Sequence, residues 1–340
     1  MSFPLQLLDG PRAADVPADP VAFLRRLGGP AAIRVAGRDR RRCRVVVTLL
    51  HGNEPSGLRA VHGWLRAGRL PATDALLVLG GVAAALAEPV LTRRELPGSV
   101  DLNRCFGDRE PAGPAREFAR AILDLIRRSE PEALVDVHNN TGHNPVYGVA
   151  PRVGDAERQL VGLFAGRVVH YDLRLGALVE ETPELCPTVV VEAGRAGAPA
   201  ADAAARRGLD LLLGQDDIVG SGLPVPVLEL FNRPVRVEAA PGVSLAYGAG
   251  ACAGAALTVA EDIDRHNFER LAPGTAMGWL AAGAPWPLVA RGADGADCSR
   301  ELFELIDGRL VTRRELVPIM MTTDPGIATS DCLFYAVEPS

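Results

Sequence analysis

Residues 43–57 read CRVVVTLLHGNEPSG, an apolar, β-branched run that ends in a polar turn containing glycine. An unbroken apolar run of this kind is typical of a strand that is buried on both faces of a sheet. The residues that follow predict a helix over 56–67, with Leu58, Val61 and Leu65 on one side. A buried strand that leads directly into a helix is the repeating unit of a helix-covered, mostly parallel sheet.

Strands and helices alternate on either side of this segment. The patterns predict strands at 31–36, 43–50, 75–81, 133–138 and 188–192, and helices that begin at Pro114, near residue 155 and at residue 200. After about residue 225, short β-prone stretches rich in Pro and Gly dominate. We therefore expect an α/β fold with a mixed, mostly parallel sheet covered by helices in residues 1–225. A smaller all-β domain is expected in residues 226–340.

Composition excludes several classes of function. The formal net charge of −6 argues against a nucleic acid or an acidic membrane as partner, because both select an electropositive surface. The basic run Arg38–Arg44 lies at a predicted hairpin turn between the strands at 31–36 and 43–50, and we interpret it as a solvated turn. All 36 basic residues are Arg, which excludes a Walker A lysine or a Schiff-base lysine.

The six cysteines form no Cys-x-x-Cys pair, and the sequence contains neither an evident signal peptide nor an apolar run long enough to span a membrane. These features predict a cytoplasmic protein.

The motif His51-Gly52-Asn53-Glu54 at the end of the first predicted strand is the strongest chemical signal. Ligands commonly bind at the carboxyl ends of strands in α/β sheets, and zinc accepts both imidazole and carboxylate. A third ligand must come from another strand end. His138, which ends the predicted strand ALVDVH, is the best candidate, and His143 is its near alternative. Asp136 shares the face of His138 and is suited to orient its ring.

Two further motifs add chemistry to this predicted metal site. Glu192 follows the apolar run TVVV, and a carboxylate buried there is costly unless it is paired or functional. It is suited to act as general base and then general acid. Asn103 and Arg104 form an adjacent amide–guanidinium pair that suits a substrate carboxylate, although a capped turn with a surface arginine is the alternative for this motif alone.

The motifs HGNEPSG, VDLNR, DVHNNTG and VVVEAG together resemble those of the succinylglutamate desuccinylase/aspartoacylase family of zinc carboxypeptidase-like hydrolases. The resemblance covers roughly residues 44–195. It implies one Zn²⁺ per chain bound by His51, Glu54 and His138. It also implies substrate binding by Asn103 and Arg104 and catalysis by Glu192. Either Arg93 or Arg94 would polarise the scissile carbonyl, and Asn139 and Arg195 are additional candidates for substrate binding.

The sequence departs from the family pattern at three places, one of which is the loop NNTGHNPVYG that follows His138. LPGSV separates Arg94 from DLNR, which lengthens the usual spacing, and Gly80-Gly81-Val82-Ala83 replaces a segment that contains Asn and Pro in the family. These departures leave the substrate open. The expected activity is hydrolysis of an N-acyl amino acid or a similar small amide that bears a carboxylate. A carboxypeptidase acting on peptides or amino-acid-modified polymers, and a non-catalytic binding protein on the same scaffold, are the alternatives.

Overall fold

The computed structural model describes residues 4–108 and 112–339, which form two compact units. The first unit comprises Met1–Asn139, Val146–Val168 and Arg174–Glu229. The second comprises Asn140–Pro145, Val169–Leu173 and Leu230–Ser340. Two short segments from the first two thirds of the chain therefore group with the C-terminal residues. The catalytic role predicted for the N-terminal part remains a prediction.

The regular elements of the first unit follow the predicted alternation. Its strands are β1 (Gln6–Asp9), β2 (Ala31–Val35), β3 (Asp39–Thr48), β4 (Thr73–Leu79), β5 (Ala133–Asn140), β6 (Tyr147–Ala150), β7 (Arg167–His170) and β8 (Thr188–Arg195), the last residue of β5 and the last two of β7 being grouped with the second unit. Its helices are α1 (Pro20–Leu27), α2 (Pro55–Ala67), α3 (Val82–Leu86), α4 (Pro114–Arg128), α5 (Asp155–Gly162), α6 (Leu178–Glu181) and α7 (Pro199–Gly214).

The sheet of the first unit has the strand order β1-β2-β4-β3-β5-β8-β6. Strand β3 runs parallel to both of its neighbours, β4 and β5, whereas β2 is antiparallel to β4 and β6 is antiparallel to β8. This arrangement confirms the predicted α/β class with a mixed, mostly parallel sheet. The parallel centre requires cover on both faces, which explains why the second half of β3 contains the buried apolar run Val45–Val47.

The core of this sheet is built as the sequence patterns predict. Val45 and Val47 of β3 are completely buried and belong to one cluster with Ile122 and Ile126 of α4. The helix presents this apolar side because its apolar residues recur at helical spacing, while its arginines lie on the other side. Burial of such side chains contributes about 25 cal/mol for each Å² of apolar surface removed from water.

The predicted hairpin between the first two predicted strands was wrong. Strand β2 pairs with β4 rather than β3, so the intervening residues make a connection across one strand. Arg44 is also not part of a solvated turn, because it is completely buried. Its Nε lies 2.5 Å from Glu132 Oε1, and its other nitrogens donate to backbone carbonyls near the end of α7, including that of Leu212 at 2.7 Å. Arg38, Arg40 and Arg41 are exposed, as expected of a solvated turn, whereas Arg42 is partly buried.

Helix α2 lies unusually close to the sheet. A Cβ at Gly57 would stand 2.0 Å from Thr48 Oγ1 of β3 and 3.0 Å from Val137 Cβ of β5. Only glycine permits this approach without displacement of the helix. The close packing fixes the first turn of α2, and therefore Glu54 directly before it, over the carboxyl ends of β3 and β5.

The second unit is rich in β structure. Its strands are β9 (Glu229–Ala239, the first residue of which belongs to the first unit), β10 (Leu245–Gly248), β11 (Leu257–Ala260), β12 (Ala276–Leu280), β13 (Leu288–Arg291), β14 (Phe303–Ile306), β15 (Arg309–Thr312), β16 (Val317–Ile319) and β17 (Phe334–Pro339). Five of them form a separate sheet in the order β10-β11-β12-β15-β14. The short helices α8 (Ser299–Leu302) and α9 (Pro325–Ser330) make this unit β-rich rather than purely β.

The described residues include no helix that is both long and apolar enough to cross a membrane.

Candidate metal centre

Three potential metal ligands lie where β3 and β5 end. After β3 the chain turns through Leu49, which has a positive φ of 56°, and a backbone hydrogen bond of 3.2 Å from Glu54 N to His51 O closes the turn. Pro55 then begins α2, a position at which its missing N–H has no cost. His138 occupies the last part of β5, the parallel neighbour of β3. The topology thus brings all three residues to one edge of the sheet.

The side chains of these residues converge on one point. Glu54 Oε1 lies 2.7 Å from His51 Nδ1, and Glu54 Oε2 lies 2.7 Å from His138 Nδ1. One ligand atom from each residue lies within 4.8 Å of the others, and all three residues are buried. The group of metal-binding side chains found among residues 4–108 and 112–339 consists of these three. His143 is not a member, and it lies in the second unit, where its backbone N–H donates to Asp264.

Each histidine has a second carboxylate at its other ring nitrogen. His51 Nε2 lies 2.9 Å from Asp101 Oδ1, and His138 Nε2 lies 2.9 Å from Asp136 Oδ2. Metal-binding histidines commonly donate the second ring N–H to a carboxylate, which fixes the tautomer and the orientation of the ring. Both imidazoles therefore have the environment of a metal ligand that binds through Nδ1.

The chemistry of this arrangement calls for a cation between the Nδ1 atoms and Glu54. If each Nε2–H donates to its aspartate, each Nδ1 directs a lone pair at a carboxylate oxygen 2.7 Å away. This arrangement is repulsive unless a proton or a metal ion lies between the atoms. Two imidazole nitrogens and one carboxylate match the three protein ligands of catalytic zinc sites, so these residues fit zinc.

The pKa shifts reflect the same concentration of buried charge. Burial is the largest influence on the pKa of Glu54 and raises it, but His51 and His138 outweigh burial and hold this pKa well below its ordinary range. Burial alone would lower the pKa of His138, yet the carboxylates of Asp136 and Glu54 raise it well above 6.5. The site therefore stabilises positive charge beside Glu54.

Asn139 holds the ligand carboxylate in place. Its backbone N–H donates to Glu54 Oε2 at 3.1 Å. Its buried side chain is engaged on both sides, with Oδ1 accepting from Ser56 N and Nδ2 donating to Ser56 Oγ and Gly194 O, each at 3.0 Å. These contacts tie the start of α2 to the ends of β5 and β8. Asn139 thereby holds Glu54 and the start of α2 in place, and its predicted role in substrate binding stays a prediction.

The structure distinguishes between the two candidate arginines upstream of DLNR. Arg94 donates to Asp101 Oδ2 through Nη2 at 2.8 Å and through Nε at 3.2 Å, and its Nη1 lies 3.5 Å from Glu54 Oε1. Arg93 is exposed and donates instead to the backbone carbonyl of Glu88. Arg94 is therefore the arginine beside the three candidate ligands.

The Asn103–Arg104 pair lies in a 3-10 turn that begins after Asp101. Asp101 Oδ1 accepts from Asn103 N at 2.8 Å, so the carboxylate that contacts His51 also caps this turn. Asn103 is buried, and its Oδ1 accepts from Leu178 N at 3.0 Å. The Nη1 of Arg104 lies 4.0 Å from Asp101 Oδ2, which places its guanidinium on the same side of the site as Arg94.

Glu192 lies near the end of β8, the neighbour of β5, and is only 6% exposed. Burial raises the pKa of Glu192 to about 7, opposed chiefly by His138 and reinforced by Glu54. These electrostatic partners place Glu192 within the field of the candidate ligands. Arg195, three residues further along β8, is exposed, and its predicted role in substrate binding stays a prediction.

Asp101 makes more contacts in the site than its sequence motif predicts. The aspartate of VDLNR was interpreted at most as a cap for a turn, but it bonds the turn, His51 and Arg94 together. Burial acts to raise its pKa, and His51 and Arg94 together overcome this effect and hold the pKa far below the ordinary range. The available signal was an aspartate two residues before an Asn-Arg pair, since a carboxylate there can face the site together with the guanidinium.

Comparisons with known proteins support the fold. No protein-family model matches the sequence, and no curated protein matches it. The structure is similar to that of succinylglutamate desuccinylase from Chromobacterium violaceum, with a TM-score of 0.59 and 16% identity, over 91% of this chain and 88% of that one. It is also similar to the product-bound ectoine utilization protein EutE from Ruegeria pomeroyi, with a TM-score of 0.55 and 17% identity, over 90% and 87% of the chains.

Murine aminoacylase 3 gives a TM-score of 0.54 and 16% identity, over 89% of this chain and 97% of that one. The chain therefore shares the fold of solved structures of the succinylglutamate desuccinylase/aspartoacylase family across about 90% of its length. At identities this low, the similarity establishes the fold, and the function has to be argued from the site.

Proposed function

We propose that this protein is a zinc-dependent hydrolase that cleaves the amide bond of an N-acyl amino acid or a similar small amide bearing a carboxylate. The observation that carries the proposal is the pair of imidazoles that direct Nδ1 at the two oxygens of Glu54, while each Nε2 faces another carboxylate. The likeness of the fold to desuccinylase and aminoacylase structures supports the same class of reaction.

His51, Glu54 and His138 would hold the metal ion. When bound, zinc would supply a Lewis acid and lower the pKa of water toward 7. Asp101 and Asp136 keep the imidazole rings oriented through Nε2, so the ligand nitrogens stay directed at one point.

Glu192 is the proposed proton carrier. A buried carboxyl group with a pKa of about 7 can take a proton near neutral pH and return it without a large free-energy penalty in either direction. It accepts the proton of the attacking water and delivers it to the nitrogen of the leaving amine. The water oxygen becomes bonded to the carbonyl carbon, the C–N bond breaks, and the products are a carboxylic acid and a free amino acid.

The two arginines on the side of Asp101 are proposed to bind the substrate. Arg94 lies beside Glu54, so its guanidinium is placed to stabilise negative charge that develops on the scissile carbonyl oxygen. Arg104 offers a guanidinium for the substrate carboxylate, with Asn103 as its neighbour. Asp101 restrains Arg94 before substrate arrives, which reduces the entropic cost of organising the site.

The direct test combines metal analysis with hydrolysis. Purified protein is expected to contain about one zinc per chain and to release free amino acid from members of a panel that varies the acyl group and the amino acid separately. His138→Ala should lose both the metal and the activity, whereas His143→Ala should keep the metal. Stoichiometric metal in the His138→Ala protein, or wild-type protein without zinc affinity, would refute the assignment of the ligands. Exclusive cleavage of dipeptides in the same panel would instead favour the carboxypeptidase alternative.

A further inference from the structure

A pocket lies next to the candidate metal centre within the first unit. It has a volume of about 370 Å³, in the range of small-molecule sites. Arg94 belongs both to its wall and to the metal centre. Leu50 and Leu102, which also line it, directly precede His51 and follow Asp101 in the chain. The pocket therefore adjoins the metal centre on the side of Arg94.

The wall of this pocket is predominantly apolar. Leu50, Leu102 and Phe118 provide large apolar surfaces, and the charged residues that line it among residues 4–108 and 112–339 are Arg94 and Glu95. The guanidinium of Arg94 is already engaged by Asp101 and Glu54. Among the described residues, a second carboxylate on a substrate would thus meet apolar surface, the like charge of Glu95, and an Arg94 guanidinium that already has carboxylate partners. Removal of an anion from water against apolar surface is unfavourable when no matched cation replaces the lost water contacts.

Two of the segments that build the pocket are among those in which the sequence departs from the family pattern. Gly80, Gly81 and Ala83 come from the segment GGVA after β4, and Leu96 to Val100 form the LPGSV segment. The latter is closed on itself by hydrogen bonds from both Ser99 N and Ser99 Oγ to Leu96 O. The shape and apolar character of the pocket are therefore properties of this chain.

We infer that this pocket binds an apolar group of the substrate, aliphatic or aromatic, and that Glu95 excludes substrates with a second carboxylate there. The inference rests on the proposed function and makes it more specific: the substrate carries one carboxylate, bound at Arg104, and one apolar group. That apolar group is either the acyl chain or the side chain of the amino acid.

A matched panel of amides distinguishes the two sources of the apolar group. N-pentanoylglycine is compared with N-succinylglycine for the acyl chain, and N-acetylleucine with N-acetylaspartate for the side chain. In one of the two pairs, the apolar substrate should have a kcat/KM at least about 10-fold higher, because even one methylene in an apolar pocket contributes about 10-fold or more. Glu95→Gln should raise kcat/KM for the acidic member of that pair, so the ratio between the apolar and the acidic substrate should become smaller.

Variants that fill the pocket test its location. Ala83→Phe should lower kcat/KM for the preferred apolar substrate at least about 10-fold while changing that for N-acetylglycine less than about 3-fold. Ala121→Phe, on the exposed side of α4, is the control and should change neither. Calorimetry with hexanoate measures binding without turnover. Hexanoate should bind the wild-type protein with a negative heat-capacity change. It should bind the Ala83→Phe protein at least about 10-fold more weakly.

The outcomes separate this inference from the proposed function. Hydrolysis of N-acetylglycine without an apolar preference in either pair would overturn the pocket inference and leave the hydrolase intact. Equal hexanoate affinity in wild type and Ala83→Phe would overturn it as well. If no amide is hydrolysed, the proposed function fails, and the calorimetric comparison still decides whether the pocket takes apolar groups.

Discussion

Replacement of Glu192 by Gln should abolish most activity and at the same time stabilise the metal-free protein at alkaline pH. Glu192 is 6% exposed, and burial raises its pKa from 4.5 to about 7. At about 1.4 kcal/mol per pH unit, this difference corresponds to roughly 3 kcal/mol. Because the folded pKa is the higher one, the unfolded chain releases the proton first, and stability is lost as pH rises from 4.5 to 7. Gln carries no charge and avoids this cost.

The assay is urea-induced unfolding of chelator-treated protein at pH 8 and at pH 4.5. Glu192→Gln should exceed wild type by up to about 3 kcal/mol at pH 8 and by little at pH 4.5. With zinc restored, its kcat should fall by about 10²- to 10⁴-fold, the contribution typical of a general acid–base group. Glu117→Gln, at an exposed position of α4, serves as control for both measurements. An active Glu192→Gln protein, or one that is less stable than wild type at pH 8, would refute the reasoning.

Three further substitutions test the supports of the site. Asp101→Asn should weaken zinc binding by about 10- to 100-fold, measured by competition with a chelator, because it removes the carboxylate at His51 Nε2. Arg44→Met should lower the free energy of unfolding, measured by urea denaturation, by about 3–5 kcal/mol. It leaves the carboxylate of Glu132 and backbone carbonyls near the end of α7 without their buried partner. Gly57→Ala should cost about 1–3 kcal/mol by forcing α2 away from β3, whereas Gly63→Ala in the same helix, with nothing within 4 Å, should gain about 0.5–1 kcal/mol.

The sequence predicted an element correctly where its local apolar pattern matches the burial of that element in the folded protein. The valines of β3 and the apolar face of α4 have periodicities that depend only on their own element, and both were predicted. The convergence of His51 and His138 followed from one general rule, namely that carboxyl ends of parallel strands meet at the same edge of the sheet. The grouping of these histidines with Glu54 confirms that expectation, whereas the bound metal and the reaction stay with the proposal.

The local sequence pattern could not predict the order of the strands in the sheet. Residues 37–42 contain good turn formers, and a hairpin between β2 and β3 was the natural expectation. The sheet instead inserts β4 between them, and this choice depends on pairing energies across the sheet and on the packing of α2. The same limitation applies to Arg44, because an arginine in a basic run becomes buried only if Glu132 and the end of α7 arrive from distant parts of the chain.

By itself, the sequence determined the fold class, the strand ends that carry His51, Glu54 and His138, and the chemical nature of the candidate site. The tertiary structure decided that Arg94 rather than Arg93 faces Glu54, that Asp101 links His51 to Arg94, and that the side chain of Asn139 donates to Ser56 and Gly194. The physical reason is that an element forms from interactions among neighbours in sequence. The direction of a loop side chain, in contrast, also depends on partners from distant parts of the chain, as in the contact between Arg94 and Glu54, which are 40 residues apart.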